Sequence, residues 1–236
     1  MTTSRPRSQR RQAASLCGSS LWCLCSTSLR RGPSGSYAQS AGGGAGRSRG
    51  HAGIVRQLLE HGADVNMEGG HFGNALYAAS VKRYTEIVRQ LLEHGADVNA
   101  QGGHFGNALN AASAEGYTKI VQQLLEGGAD VNAQGRRDSN ALQAASTRGY
   151  AKIVRQLLEH GADVNAQGDH FDNALYAASA RGYTEIVRQL LEHGAEFSTD
   201  VHGPDRQKEV VAETVLEDGA RCLALRTYVS LHRTRL

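Results

Sequence analysis

Histidine is the first residue type in this sequence that could do chemistry, because imidazole nitrogens bind metal ions and move protons. The 236-residue chain has ten histidines. Four of them, His61, His94, His160 and His193, recur at one spacing, and His71, His104 and His170 recur at another. A shared zinc ion would need each ring nitrogen about 2 Å from the metal. Equivalent residues on stacked copies of one structural unit stand about 8–10 Å apart, one helix diameter. Neither series can therefore converge on an ion, and both read as repeat consensus.

The serines and aspartates fail in the same way. Ser80, Ser113, Ser146 and Ser179 occupy one recurring position with no matched base, so they read as packing residues rather than nucleophiles. Asp64, Asp97, Asp130 and Asp163 read as loop residues that bond nearby backbone. The glycine run Gly42–Gly46 follows no strand, and no Gly-x4-Gly-Lys-Ser/Thr phosphate loop occurs. Cys17, Cys23, Cys25 and Cys222 show neither a disulfide framework nor paired zinc spacing, which makes a reducing, cytoplasmic compartment the default. No enzyme, metal or cofactor is expected.

The elements that carry these residues repeat every 33 positions. Gly-Ala recurs at Gly62, Gly95, Gly128, Gly161 and Gly194, Asn-Ala-Leu at Asn74, Asn107, Asn140 and Asn173, and Ile-Val at Ile54, Ile87, Ile120, Ile153 and Ile186. Residues 67–99 match residues 100–132 at 24 of 33 positions. Each copy predicts two short helices and a loop. Asn74 can cap the first helix with its side-chain oxygen, and small alanines allow close helix approach. Thr85 is a second candidate cap. Ile87–Leu91 and Val88–Leu92 then form two apolar i,i+4 pairs on one face. Gly95 stands where a helix C-terminus favours the left-handed region, and Ala96-Asp97-Val98-Asn99 leads into a hairpin-like arm.

These motifs resemble the ankyrin family: Gly106-Asn107-Ala108-Leu109, Ala112-Ser113, Gly116-Tyr117, Ile120-Val121, Leu124-Leu125 and Gly128-Ala129-Asp130-Val131-Asn132. The resemblance covers residues 51–199 and implies an all-α ankyrin-repeat solenoid of helix–turn–helix units with hairpin-like loops. It departs from the family where Asn-Ala replaces Thr-Pro and where the family histidine becomes Tyr77, Asn110, Gln143 or Tyr176. Asn must then supply the cap that the hydroxyl and histidine give elsewhere. Arg83 stands where the other copies carry glycine. The Asn-Ala-Leu wording and the near-identity of the copies also resemble the ankyrin tails of fungal NACHT-type receptor-like proteins.

Charge follows the same divisions. Residues 1–50 hold eight arginines and no acid, whereas 51–199 hold 12 basic and 17 acidic side chains, so the net +3 conceals a basic leader on a mildly acidic body. The leader (1–50) reads best as a disordered, Gly/Ser-rich tail or an ill-defined gene start, with a mitochondrial presequence and a secretory signal as weaker alternatives. Ala41–Gly50 holds five glycines and is expected to form no stable helix. The body divides into a half unit (51–66) and full units 67–99, 100–132, 133–165 and 166–198. Residues 200–236 are expected to form a helical cap or tail.

Variation between the copies suggests where a partner binds. Change concentrates at the loop tips (His71, Phe72, His104, Phe105, Arg136, Arg137, Asp138, Asp169, His170, Phe171) and along the first helix and its turn (Tyr77, Asn110, Gln143, Tyr176, with Lys82, Glu115, Arg148, Arg181). Positions free to differ are expected to face outward. In ankyrin proteins these arms and inner helices form the concave binding face, so the resemblance implies that these residues contact a protein partner. Aromatic and arginine side chains suit that role. The alternative is nucleic-acid association through the leader arginines, which would weaken steeply with salt and which the acidic body opposes. No stretch suggests a membrane partner, and neither partner identity nor oligomeric state is encoded legibly.

Overall fold

A computed structural model describes residues 44–69, 72–136, 140–168 and 173–196. The described residues hold helices α1 (Gly44–Glu60), α2 (Ala75–Val81), α3 (Thr85–Glu93), α4 (Ala108–Glu115), α5 (Thr118–Glu126), α6 (Ala141–Arg148), α7 (Ala151–Glu159), α8 (Ala174–Ser179) and α9 (Thr184–Glu192). They contain no strand, only isolated bridges between Gly69 and Gly73 and between Gly102 and Gly106. The hairpin-like arms of those two loops are thus a single bonded rung each. The chain divides after Asp130 into two compact units. The leader residues 1–43, all four cysteines and the expected C-terminal cap lie outside the described residues.

Each first helix starts as its asparagine dictates. Asn74, Asn107, Asn140 and Asn173 are extended, and each side-chain oxygen accepts the N–H of the residue three positions on, at 2.7–2.9 Å. That satisfies one of the orphan donors of the helix N-terminus. The second helices differ from expectation. Their caps are Tyr84, Tyr117, Tyr150 and Tyr183, none with a side-chain cap bond, and Thr85 is already inside the helix. A tight turn from the first helix delivers the chain into the second, so no hydroxyl cap is needed; Ala151 begins α7 equally well.

Packing follows the two helix layers. In the first unit α2 packs on α4 and α3 on both α1 and α5; in the second α6 packs on α8 and α7 on α9. Ile87, Ile120, Ile153 and Ile186 are buried, as are Leu91, Leu124, Leu157 and Leu190. Ile54 occupies the same repeat position yet is 44% exposed. Among the described residues no helix equivalent to α2 precedes α1 to cover it.

α1 also corrects an expectation. Its backbone is helical from Gly44, inside the glycine-rich stretch 41–50. Glycine costs about 1 kcal/mol per residue relative to alanine, but the larger cost of helix nucleation is met by the packed residues Ala52, Val55 and Leu59. Extension upstream therefore needs only a small increment per residue.

A second set of asparagines ties consecutive loops together. The Asn66 side chain accepts the Asp97 N–H (2.7 Å) and donates to the Gly95 carbonyl (3.1 Å). Asn99 does the same to Asp130 and Gly128, Asn132 to Asp163 and Gly161, and Asn165 to Glu196 and Gly194. Asp64, Asp97 and Asp163 meanwhile accept the backbone N–H two residues on, at 3.0 Å, as loop aspartates should.

Candidate interaction surface

The residues proposed from sequence separate into three groups. His71, Arg137, Asp138, Asp169, His170 and Phe171 lie outside the described residues. Tyr77, Asn110 and Gln143 are only 2%, 3% and 5% exposed, which removes them from direct contact with a partner. Phe72, Lys82, His104, Phe105, Glu115, Arg136, Arg148, Tyr176 and Arg181 keep accessible surface.

Two of the buried three, Tyr77 and Gln143, reach forward into the next copy's loop. The Tyr77 hydroxyl accepts the Phe105 N–H at 3.1 Å, and a Cβ at Gly103 would overlap the Tyr77 ring. Gln143 donates to the Ala166 carbonyl at 3.2 Å, and a Cβ at Gly168 would overlap its amide. Tyr77 and Gln143 thus each support a different loop. Variation between copies here reports a paired internal contact, not freedom from contact.

In the first unit Phe72, Lys82, His104 and Phe105 gather around Tyr77. The Phe72 and Tyr77 rings lie 6.3 Å apart, and the Lys82 ammonium sits 5.3 Å from the Phe72 centroid. Partial burial pushes the Lys82 pKa down, because desolvation penalises the charged amine. His104 packs edge-on against Phe105 at 5.3 Å. Beside Lys82, Arg83 adopts φ 61°, in the region its counterparts Gly116, Gly149 and Gly182 occupy at 69–81°. Its guanidinium lies 5.6 Å from the Tyr117 ring. Sequence reading noted Arg83 as a departure but did not place it on the surface; the break in an otherwise constant glycine was the available signal.

In the second unit Arg136, Arg148 and Arg181 are exposed and Tyr176 is half-buried. Arg148 ends α6, and Arg181 stands at the equivalent position after α8.

The helix-end histidines have a defined structural task. The Nδ1 atoms of His61, His94, His160 and His193 lie 2.7–2.8 Å from the carbonyls of Gln57, Gln90, Gln156 and Gln189. A ring N–H donating there adds a second bond to a last-turn carbonyl that already accepts the histidine's own backbone N–H. Among the described residues no group of three His, Cys, Asp or Glu side chains could hold a metal ion, and no helix is long and apolar enough to cross a membrane.

Comparison with known families agrees with this architecture. The family model for ankyrin repeats (three copies) matches residues 47–102 and 106–200. The chain belongs to the ankyrin-repeat family. No curated protein matches it. Ankyrin repeats are generally protein–protein interaction modules, and proteins built from them are typically non-catalytic.

Proposed function

We propose that this chain is a non-catalytic recognition module that takes a protein partner on the side that loop tips and first helices form within each of its two units. One observation carries the reading. Accessible side chains that differ between near-identical copies occur at loop tips and first-helix ends, as Phe72, Lys82, His104, Arg148 and Arg181 do, and on the second helices, as Glu86, Lys119, Arg89 and Gln122 do, but the phenylalanines Phe72 and Phe105 belong to the loop tips. Rigid aromatics beside arginines are the types that dominate binding energy at interfaces. The likeness of the Asn-Ala-Leu copies to the ankyrin tails of fungal NACHT-type proteins supports a cytoplasmic setting, and genomic sequence encoding a nucleotide-binding domain upstream would test it.

The binding side is tested by two alanine variants of the full chain, immobilised and exposed to an extract of the source cells. Replacing Lys82, His104, Arg136 and Tyr176 should remove the retained proteins while helical content and melting stay unchanged. Replacing the exposed second-helix residues Lys119 and Lys152 should leave them bound. The opposite pattern overturns the assignment.

A further inference from the structure

Tyr77 is buried in α2, yet its backbone and its side chain serve different loops. Its backbone N–H donates to the Asn74 side chain at 2.7 Å, which fixes the start of the helix. Its side chain runs forward to the second loop, where the hydroxyl accepts the Phe105 N–H at 3.1 Å. On the way the ring fills the space that a Cβ at Gly103 would occupy. A single residue therefore ties the cap of one first helix to the tip of the next loop.

The two loops also touch through their backbones. A Cβ at Gly73 would meet the Gly102 Cα at 2.7 Å, and one at Gly102 would meet the Phe72 carbonyl oxygen at 2.9 Å. Each loop closes on its own rung, Gly69 N–H to the Gly73 carbonyl and Gly102 N–H to the Gly106 carbonyl, both at 2.7 Å. Phe72 lies 6.3 Å from the Tyr77 ring, and Phe105, with His104 edge-on against it, hangs from the Tyr77 hydroxyl.

The chain supplies its own comparison. Gln143, at the same repeat position, donates to the Ala166 carbonyl. Ala166 stands two periods of 33 after Ala100, so glutamine holds its loop at the base, five residues short of the position that Tyr77 reaches. A side chain of tyrosine length is what carries the bond out to the tip.

We infer that Tyr77 is a positioning residue for recognition: it holds the second loop tip against the first, so that His104 and Phe105 meet a partner together with Phe72 and Lys82 as one preformed surface. This rests on the protein-recognition reading above. Preformed contact groups favour binding because they are ordered before the partner arrives. A tip released from Tyr77 has to be ordered on binding, and affinity falls with the fraction of molecules in which it is in place.

The test compares the full chain with two variants. Tyr77→Phe keeps the ring and removes the accepting oxygen. Tyr77→Gln installs the side chain that Gln143 already carries at this repeat position. In both, exchange of the Phe105 N–H with solvent should quicken by about two- to tenfold, the effect of one lost hydrogen bond. The amide chemical shifts of Ile120 and Leu124 should stay in place, which checks that the packed helices are intact. Retention of the extract proteins that the alanine variant at Lys82, His104, Arg136 and Tyr176 releases should drop in both. Unchanged Phe105 exchange overturns the inference, as does faster exchange with unchanged retention. Failure of the recognition reading looks different: the four-alanine variant itself keeps its proteins, whatever Phe105 does, and the inference falls with it.

Discussion

Arg83 shows how one side chain can offset its own backbone cost. An L-residue in the left-handed region costs about 1–2 kcal/mol, whereas an exposed cation over an aromatic ring returns about 0.5–1 kcal/mol. Arg83→Gly relieves the first and loses the second, so urea melts should show little change or a small gain. Arg83→Ala keeps the strain and loses the ring contact, and should cost about 0.5–1 kcal/mol. The stability order Gly, Arg, Ala is the outcome to check; alanine as the most stable of the three would refute the balance. At this scale the sequence was informative about conformation: the asparagine caps and the left-handed glycines stand where their residue types indicated. It was misleading about exposure. Tyr77 and Gln143 differ between copies because each fits a different neighbouring loop, and that pairing is visible only once the loops are in place.

Within the elements, two kinds of tie hold the copies in step. Asn66 links its own loop to the next through two side-chain hydrogen bonds. Each such bond contributes about 0.5–1.5 kcal/mol, so Asn66→Ala should lower unfolding free energy by about 1–2 kcal/mol, measured in urea. The helix-surface ion pairs contribute less. Arg89 bonded to Glu86 holds that carboxyl below its ordinary range against the opposing effect of burial, and Arg188 does the same for Glu185.

A carboxylate whose folded pKa lies below its unfolded one adds stability that is fully present above the unfolded value. That stability is lost as pH falls through the folded value. Stability should therefore be flat from neutral pH down to the ordinary carboxylate range and decline below it. Both groups are about half exposed, so screening limits each to a few tenths of a kcal/mol. The double variant Glu86→Gln/Glu185→Gln should decline less steeply on acidification, and a steeper decline would refute the sign. The helices themselves were legible from the 33-residue period and the i,i+4 apolar pairs. The asparagine bridges were not, because both partners of each bond lie in loops whose approach depends on the packed helices.

At the scale of the whole molecule, residue identity matters less than whether a neighbouring element covers a given repeat position. The array was readable because each copy repeats the same buried set, and its upstream limit was not, because α1 continues as helix into glycine-rich sequence. Ile54 and Ile120 offer a direct comparison, being the same residue at the same repeat position with 44% and 0% exposure. Removing a buried isoleucine side chain typically costs about 2–5 kcal/mol, while exposed substitutions stay within about 0.5 kcal/mol. The decisive measurement is urea unfolding of the full chain carrying Ile120→Ala or Ile54→Ala. The account requires a loss of about 2–4 kcal/mol for the first and under about 0.5 kcal/mol for the second. Equal losses at the two sites would contradict it.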